Sequence, residues 1–167
     1  MRPDFEELLD LQDYELIATV RDEIFDEIRN LPSEDDLEKI HEIKFYLITA
    51  SIFEFEVQNG GLCQFLANEG KIHGPMLHTA LCAFGAEQHD RILADFCQKN
   101  GIDLCNLQEL IPETADPYCM IENYQQLRSK YPFEDFDKAF FELDRAYPLE
   151  RILGTYIRNN ISLFLVD

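Results

Sequence analysis

The sequence predicts an all-α protein, a compact single-domain bundle of about seven to nine helices spanning residues 1–167. Three observations carry that prediction. Apolar residues recur at helical spacing along most of the chain. Pro, Gly and Asn punctuate those stretches where helices start and stop. The period-two alternation of a strand is confined to Phe53-Glu54-Phe55-Glu56-Val57, five residues inside a longer helical run, and that run is read as helix. A length of 167 residues suits one domain, and a hydrophobic share of 46% suits a real core. With 13 Phe and 7 Tyr, the chain is too apolar to stay disordered.

The first apolar stripe is Ile17, Val20, Ile24, Ile28 and Leu31, with Asp22, Glu23, Asp26 and Glu27 on the other side. The helix ends before Leu31-Pro32, because the residue preceding proline resists the helical region. Ser33 is a natural N-cap for a second helix over about 34–58, with Glu34, Asp35 and Asp36 in its first turn. Asn59-Gly60-Gly61 stops that helix, and a short one bearing Leu62, Phe65 and Leu66 follows. Pro75 opens a helix with Met76, Leu77, Ala80, Leu81 and Phe84, closed by Gly85. Ile92, Leu93 and Phe96 form the next face, ended by Asn100-Gly101, and a short segment around Leu107, Leu110 and Ile111 runs into Pro112. Asp116-Pro117 reads as cap and first position of a helix with Ile121, Tyr124 and Leu127. Phe136, Phe140, Leu143 and Tyr147 mark another. The last, opened by Pro148, carries Leu149, Ile152, Leu153, Tyr156, Ile157, Ile161 and Phe164.

Charge is the unusual property. The 33 carboxylates against 14 Lys and Arg give a net −19, and residues 1–40 alone, with 14 acidic and 4 basic side chains, hold −10 of it. Such a field repels phosphates, so direct nucleic-acid binding is disfavoured. The five cysteines (Cys63, Cys82, Cys97, Cys105, Cys119) include no C-x-x-C pair and fit reduced thiols in a cytoplasmic protein. Met-Arg-Pro-Asp-Phe-Glu-Glu has no apolar signal core, and no 18-residue uncharged apolar run follows, so neither export nor membrane insertion is expected.

Catalytic chemistry is hard to place. His41, His73, His78 and His89 lack metal or catalytic spacing, and the one close sulfur, Cys82 four residues after His78, leaves a zinc site two ligands short. No phosphate-cradling glycine loop or nucleophile elbow is present. Glu54 and Glu56 are two apart and point away from each other on a helix. Glu54 with Gln58 is better placed, and a pocket gathering these two with Asn59 and a histidine would favour a metal-dependent enzyme. The expectation is no catalytic residue, no metal and no cofactor.

The distinctive local signature runs from Phe55 to Gly70, of the form E-x-x-N-G-G-x-x-Q-[FY]-x-x-N-x-x-G apart from the spacing of its last glycine. Glu56, Asn59, Gly60, Gly61, Gln64, Phe65, Asn68 and Gly70 carry it, and physically it is a helix–glycine corner–helix. It resembles the hallmark of a bacterial family typified by an acidic DNA-mimic protein. The resemblance continues through Ala80-Leu81-Cys82-Ala83-Phe84-Gly85-Ala86 and, more loosely, Tyr156-Ile157-Arg158-Asn159-Asn160, covering roughly residues 45–165. It implies an all-helical fold and, for the best-known type, an acidic surface that sequesters a DNA-binding regulator. The matched residues are mainly scaffold.

The partner-binding residues expected from charge are Glu15, Asp22, Glu23, Asp26, Glu27, Glu34, Asp35, Asp36 and Glu38. Carboxylates one turn apart recur every ~5.4–6 Å along a helix, whereas duplex DNA carries a charge every ~1.7 Å. One helix is thus about threefold too dilute, so mimicry needs several helices side by side or a homodimer aligning two acidic faces. The expected partner is a basic protein, such as a DNA-binding regulator. An immunity-type protein neutralising a basic toxin is the alternative, and an oligomeric structural protein with merely solvating charge is a third.

Overall fold

A computed structural model describes residues 5–111 and 117–165. Among them the chain forms eight α-helices: α1 (Phe5–Leu9), α2 (Asp13–Arg29), α3 (Glu42–Asn68), α4 (Gly70–Ala83), α5 (Glu87–Asn100), α6 (Pro117–Lys130), α7 (Phe133–Ala146) and α8 (Leu149–Asn159). Short 3-10 turns cover Glu34–Lys39, Leu107–Glu109 and Ile161–Leu163. No strand occurs among the described residues.

The all-α expectation is met, and the element that organises the bundle is α3. It packs against α2, α4, α6, α7 and α8. A helix enclosed on most sides must be apolar nearly all round. Ile43, Leu47, Ile48, Ala50, Phe53, Val57, Leu62, Phe65 and Leu66 are accordingly all buried. The alternation at Phe53–Val57 is therefore helical, with Phe53 inside and Phe55 exposed. Edge-to-face contacts tie Phe53 to Phe65 and Phe140, and Phe140 stacks on Phe136 of the same helix at 5.6 Å. Aromatic pairs in such geometries add about 0.5–1.5 kcal/mol each beyond the area they bury.

Several boundaries differ from the sequence reading. The second helix does not start at 34: Glu34–Lys39 is a separate 3-10 turn, and α3 begins at Glu42. Ser33 does cap, its Oγ accepting from the Asp35 N–H, but it caps only that turn. Ile40 then runs extended so that its side chain reaches the core, and His41 Nδ1 accepts from the Ile43 N–H to cap α3. Pro75 does not open α4 but lies within it. Gly70 and Gly74 sit tight against the following segment: a Cβ on Gly70 would meet Leu107 and one on Gly74 the Leu104 carbonyl. The final helix stops at Asn159, and the Asn160 side chain donates to the Tyr156 carbonyl. Ile161 and Phe164 are buried from a 3-10 turn instead. Ile121 and Tyr147, expected on apolar faces, are exposed. Pro112 and Asp116 lie outside the described residues.

Candidate functional site

α2 turns Leu16, Ile17, Val20 and Ile24 inward and leaves Asp22 and Asp26 exposed on the other side. It lies along α8, and Arg158 of α8 fastens its start. That guanidinium donates to the Leu9 carbonyl at 3.3 Å and the Leu11 carbonyl at 2.6 Å, and it pairs with Asp13. At the other end Lys44 of α3, only 5% exposed, pairs with Glu27 at 2.5 Å. The acidic helix is therefore pinned to the core at both ends.

Eight of the nine carboxylates expected to meet a partner divide into two groups. Glu15 is half-buried; it accepts from the Gln12 N–H at 3.3 Å and from the Tyr14 hydroxyl, closing a capping box. Glu27 is committed to Lys44. Asp26 pairs with Arg29, and Asp36 with Lys39 at 2.5 Å. Glu23 is partly buried. Asp22, Asp35 and Glu38 are exposed, and the Glu34 side chain lies outside the described residues. Composition did not reveal an apolar groove at the α2 terminus. It encloses about 560 Å³ and is lined by Ile28, Arg29, Leu31, Pro32, Ser33 and Leu37. Asp35 and Glu38 stand on the same 3-10 turn as Leu37. The signal in sequence was Leu37, apolar within an acidic run.

A second polar grouping forms where α3, α5, α7 and α8 meet. Gln58 Nε2 donates to Asp144 Oδ2 at 2.8 Å, and the Leu149 N–H donates to Oδ1 at 2.8 Å. His89 Nε2 stands 3.5 Å from the same Oδ1. Burial works to raise the Asp144 carboxyl, but the adjacent His89 imidazole and the Leu149 and Gln58 donors together hold it below the usual range. Nearby Glu54 is pushed up to about 7, first by burial and then by the Glu150 and Asp144 charges, while Gln58 works against the rise. So Glu54, Gln58 and a histidine do gather, through Asp144. Asn59 does not join them; its side chain donates back to the Phe55 carbonyl at 2.7 Å. His89 has 0% exposure, which shields its ring from a dissolved substrate.

The Phe55–Gly70 signature makes the corner between the two halves of α3. Gly60 (φ −155°, ψ 20°) and Gly61 (φ 73°, ψ −177°) leave helical geometry. Asp137 of α7 reaches into the gap and accepts from the Leu62 N–H at 2.9 Å, satisfying a donor that the new helix start would otherwise orphan. Gln64 lies against Gly60, where a Cβ would overlap its side chain. Asn68 donates to Glu56 at 2.8 Å across the bend, giving that carboxylate, 9% exposed, its partner. Phe65 fills the core beneath, and Gly70 admits Leu107. Residues 38–160 match the family model described as DMP19-like protein. The chain belongs to the DMP19-like family.

No curated protein and no solved structure matches the chain. The DMP19-like match takes in α3 to α8, the glycine corner and the polar grouping around Asp144. It begins at Glu38, so eight of the nine expected partner-binding carboxylates precede it. No helix is long and apolar enough, among the described residues, to cross a membrane.

Proposed function

We propose that the protein is a non-enzymatic acidic binding protein, a DNA mimic that occupies the basic surface of a DNA-binding regulator. The observation that carries the reading is the set of exposed carboxylates on the pinned helix α2 and on the 3-10 turn that follows it. There Asp22, Asp35 and Glu38 are exposed, while Arg158 and Lys44 tie the two ends of α2 to the core. Preorganised charge loses little entropy on binding and gives salt-dependent, steered association. Membership of a family typified by an acidic DNA mimic supports the same reading. The charge density of one such set is still below that of duplex DNA. Two copies placing these sets side by side would raise it, so a homodimer belongs to the proposal.

The experiment is capture of the partner from the native host at low ionic strength, followed by competition with duplex DNA. Binding should weaken steeply with salt, because exposed charges are screened beyond ~8–10 Å at physiological strength. It should be displaced by duplex and lost on the combined change Asp22→Lys, Asp35→Lys and Glu38→Lys. Asp26 and Asp36 are poorer targets, because their cations already neutralise them locally. A partner held equally well at high salt and by the reversed variant would overturn the proposal.

A further inference from the structure

α4 and α5 meet at a tight turn in which Gly85 adopts φ 80°, a left-handed conformation that glycine takes without strain. His78 and Cys82, one helical turn apart on α4, share a face. The reversal at Gly85 swings α5 back, so that Asp90 in its first turn approaches both. His78 Nδ1 lies 2.8 Å from Asp90 Oδ2, and Cys82 Sγ is 3.9 Å from the same oxygen. One donor atom from each residue fits within 4.8 Å of the others. The two-ligand fragment visible at i, i+4 in the sequence thus acquires its third ligand from another helix.

We propose that His78, Cys82 and Asp90 bind one zinc-class divalent cation, with water at the fourth position. Tetrahedral zinc, with bonds of ~2.0–2.3 Å, sets its ligand atoms roughly 3.3–3.8 Å apart. The Cys82–Asp90 separation is already close to that, and the His78–Asp90 separation must open by less than about 1 Å. His78 is exposed and can turn that far, whereas Asp90, 8% exposed, is fixed by its surroundings. A thiolate, an imidazole and a carboxylate together select zinc or cobalt over magnesium or calcium, whose ligands are oxygen alone. The Glu87 and Asp90 carboxylates stand close to Cys82, and a bound cation would offset their charge. The bound ion would staple α4 to α5 across the Gly85 turn. None of its ligands lies on α2 or the 3-10 turn that follows it, so the site stands or falls independently of partner binding.

The test is a Co²⁺ titration of the reduced, chelator-treated full-length protein, followed by Zn²⁺. One equivalent should produce the visible bands of four-coordinate cobalt and a near-ultraviolet thiolate charge-transfer band, and one equivalent of zinc should remove both. Cys82→Ser should abolish the charge-transfer band. His78→Ala, at an exposed position that leaves folding intact, should weaken cobalt by more than the ~10–100-fold cost of altering an outer-shell partner. Cys105→Ser, which removes an exposed thiol elsewhere, should change nothing. Absence of the charge-transfer band, or its survival in Cys82→Ser, would overturn the assignment.

Discussion

Replacing Gly61 with alanine should be among the most destabilising single-methyl additions available to this protein. Gly61 has φ 73° and ψ −177°, a region that is essentially glycine's alone, and holding an L-residue there costs about 1–3 kcal/mol. The added Cβ would also stand 2.7 Å from the Asp137 carboxyl carbon. Asp137 must then withdraw and surrender the Leu62 N–H, a hydrogen bond to a charged acceptor worth about 1.5–3 kcal/mol. Together these give roughly 3–5 kcal/mol, a large part of the ~5–15 kcal/mol that holds a typical domain folded. Urea unfolding followed by circular dichroism measures the loss, which should appear as a lower midpoint at unchanged slope. The cycle with Asp137→Ala separates the two causes: in that background Gly61→Ala should cost only the backbone part. A loss below about 1 kcal/mol in the parent would refute the strain argument. An equal loss in both backgrounds would refute the role given to Asp137.

The polar interior supplies further predictions. Glu54 titrates near 7 when folded, above its ordinary value, so its protonated form favours folding. That contribution is complete below the unfolded pKa and is lost as pH rises through about 7, and it is limited to about 3 kcal/mol. Glu54→Gln should therefore flatten stability between about pH 5 and 8 and leave the variant the more stable at the alkaline end; a variant whose pH dependence matches the parent's would contradict this. Asn68→Ala should cost about 1–3 kcal/mol by leaving the Glu56 carboxylate without its amide donor, read from the same urea midpoints. Arg158→Ala removes the bonds to Leu9 and Leu11 and the pair with Asp13, so hydrogen exchange should accelerate in the α1–α2 connection while the amides of α3 stay protected.

Fold class and most helix boundaries were legible in the sequence because they depend on local chemistry. Apolar spacing, Ser33 as a cap, the Gly60-Gly61 corner and the stop at Gly101 act within a few residues of themselves. So does the proline that precedes α8. The failures fall where a distant group intervenes. Glu34–Lys39 did not join α3, because Ile40 had a place in the core to reach. α4 began at Gly70, ahead of Pro75, in a stretch where Leu104 and Leu107 pack onto Gly70 and Gly74.

The same division runs through the candidate sites. Net charge and its concentration in residues 1–40 followed from composition, as did the corner motif that marks the family. Composition did not distinguish Glu27, held by a lysine seventeen residues on, from Asp22, which faces solvent. Nor did it bring Asp144 to His89 and Gln58, or Asp90 to His78 and Cys82. Local sequence decides where a helix forms and which stripe it buries. Only helix packing decides which carboxylates meet a cation, a histidine or open water, because that depends on neighbours brought close by the rest of the chain.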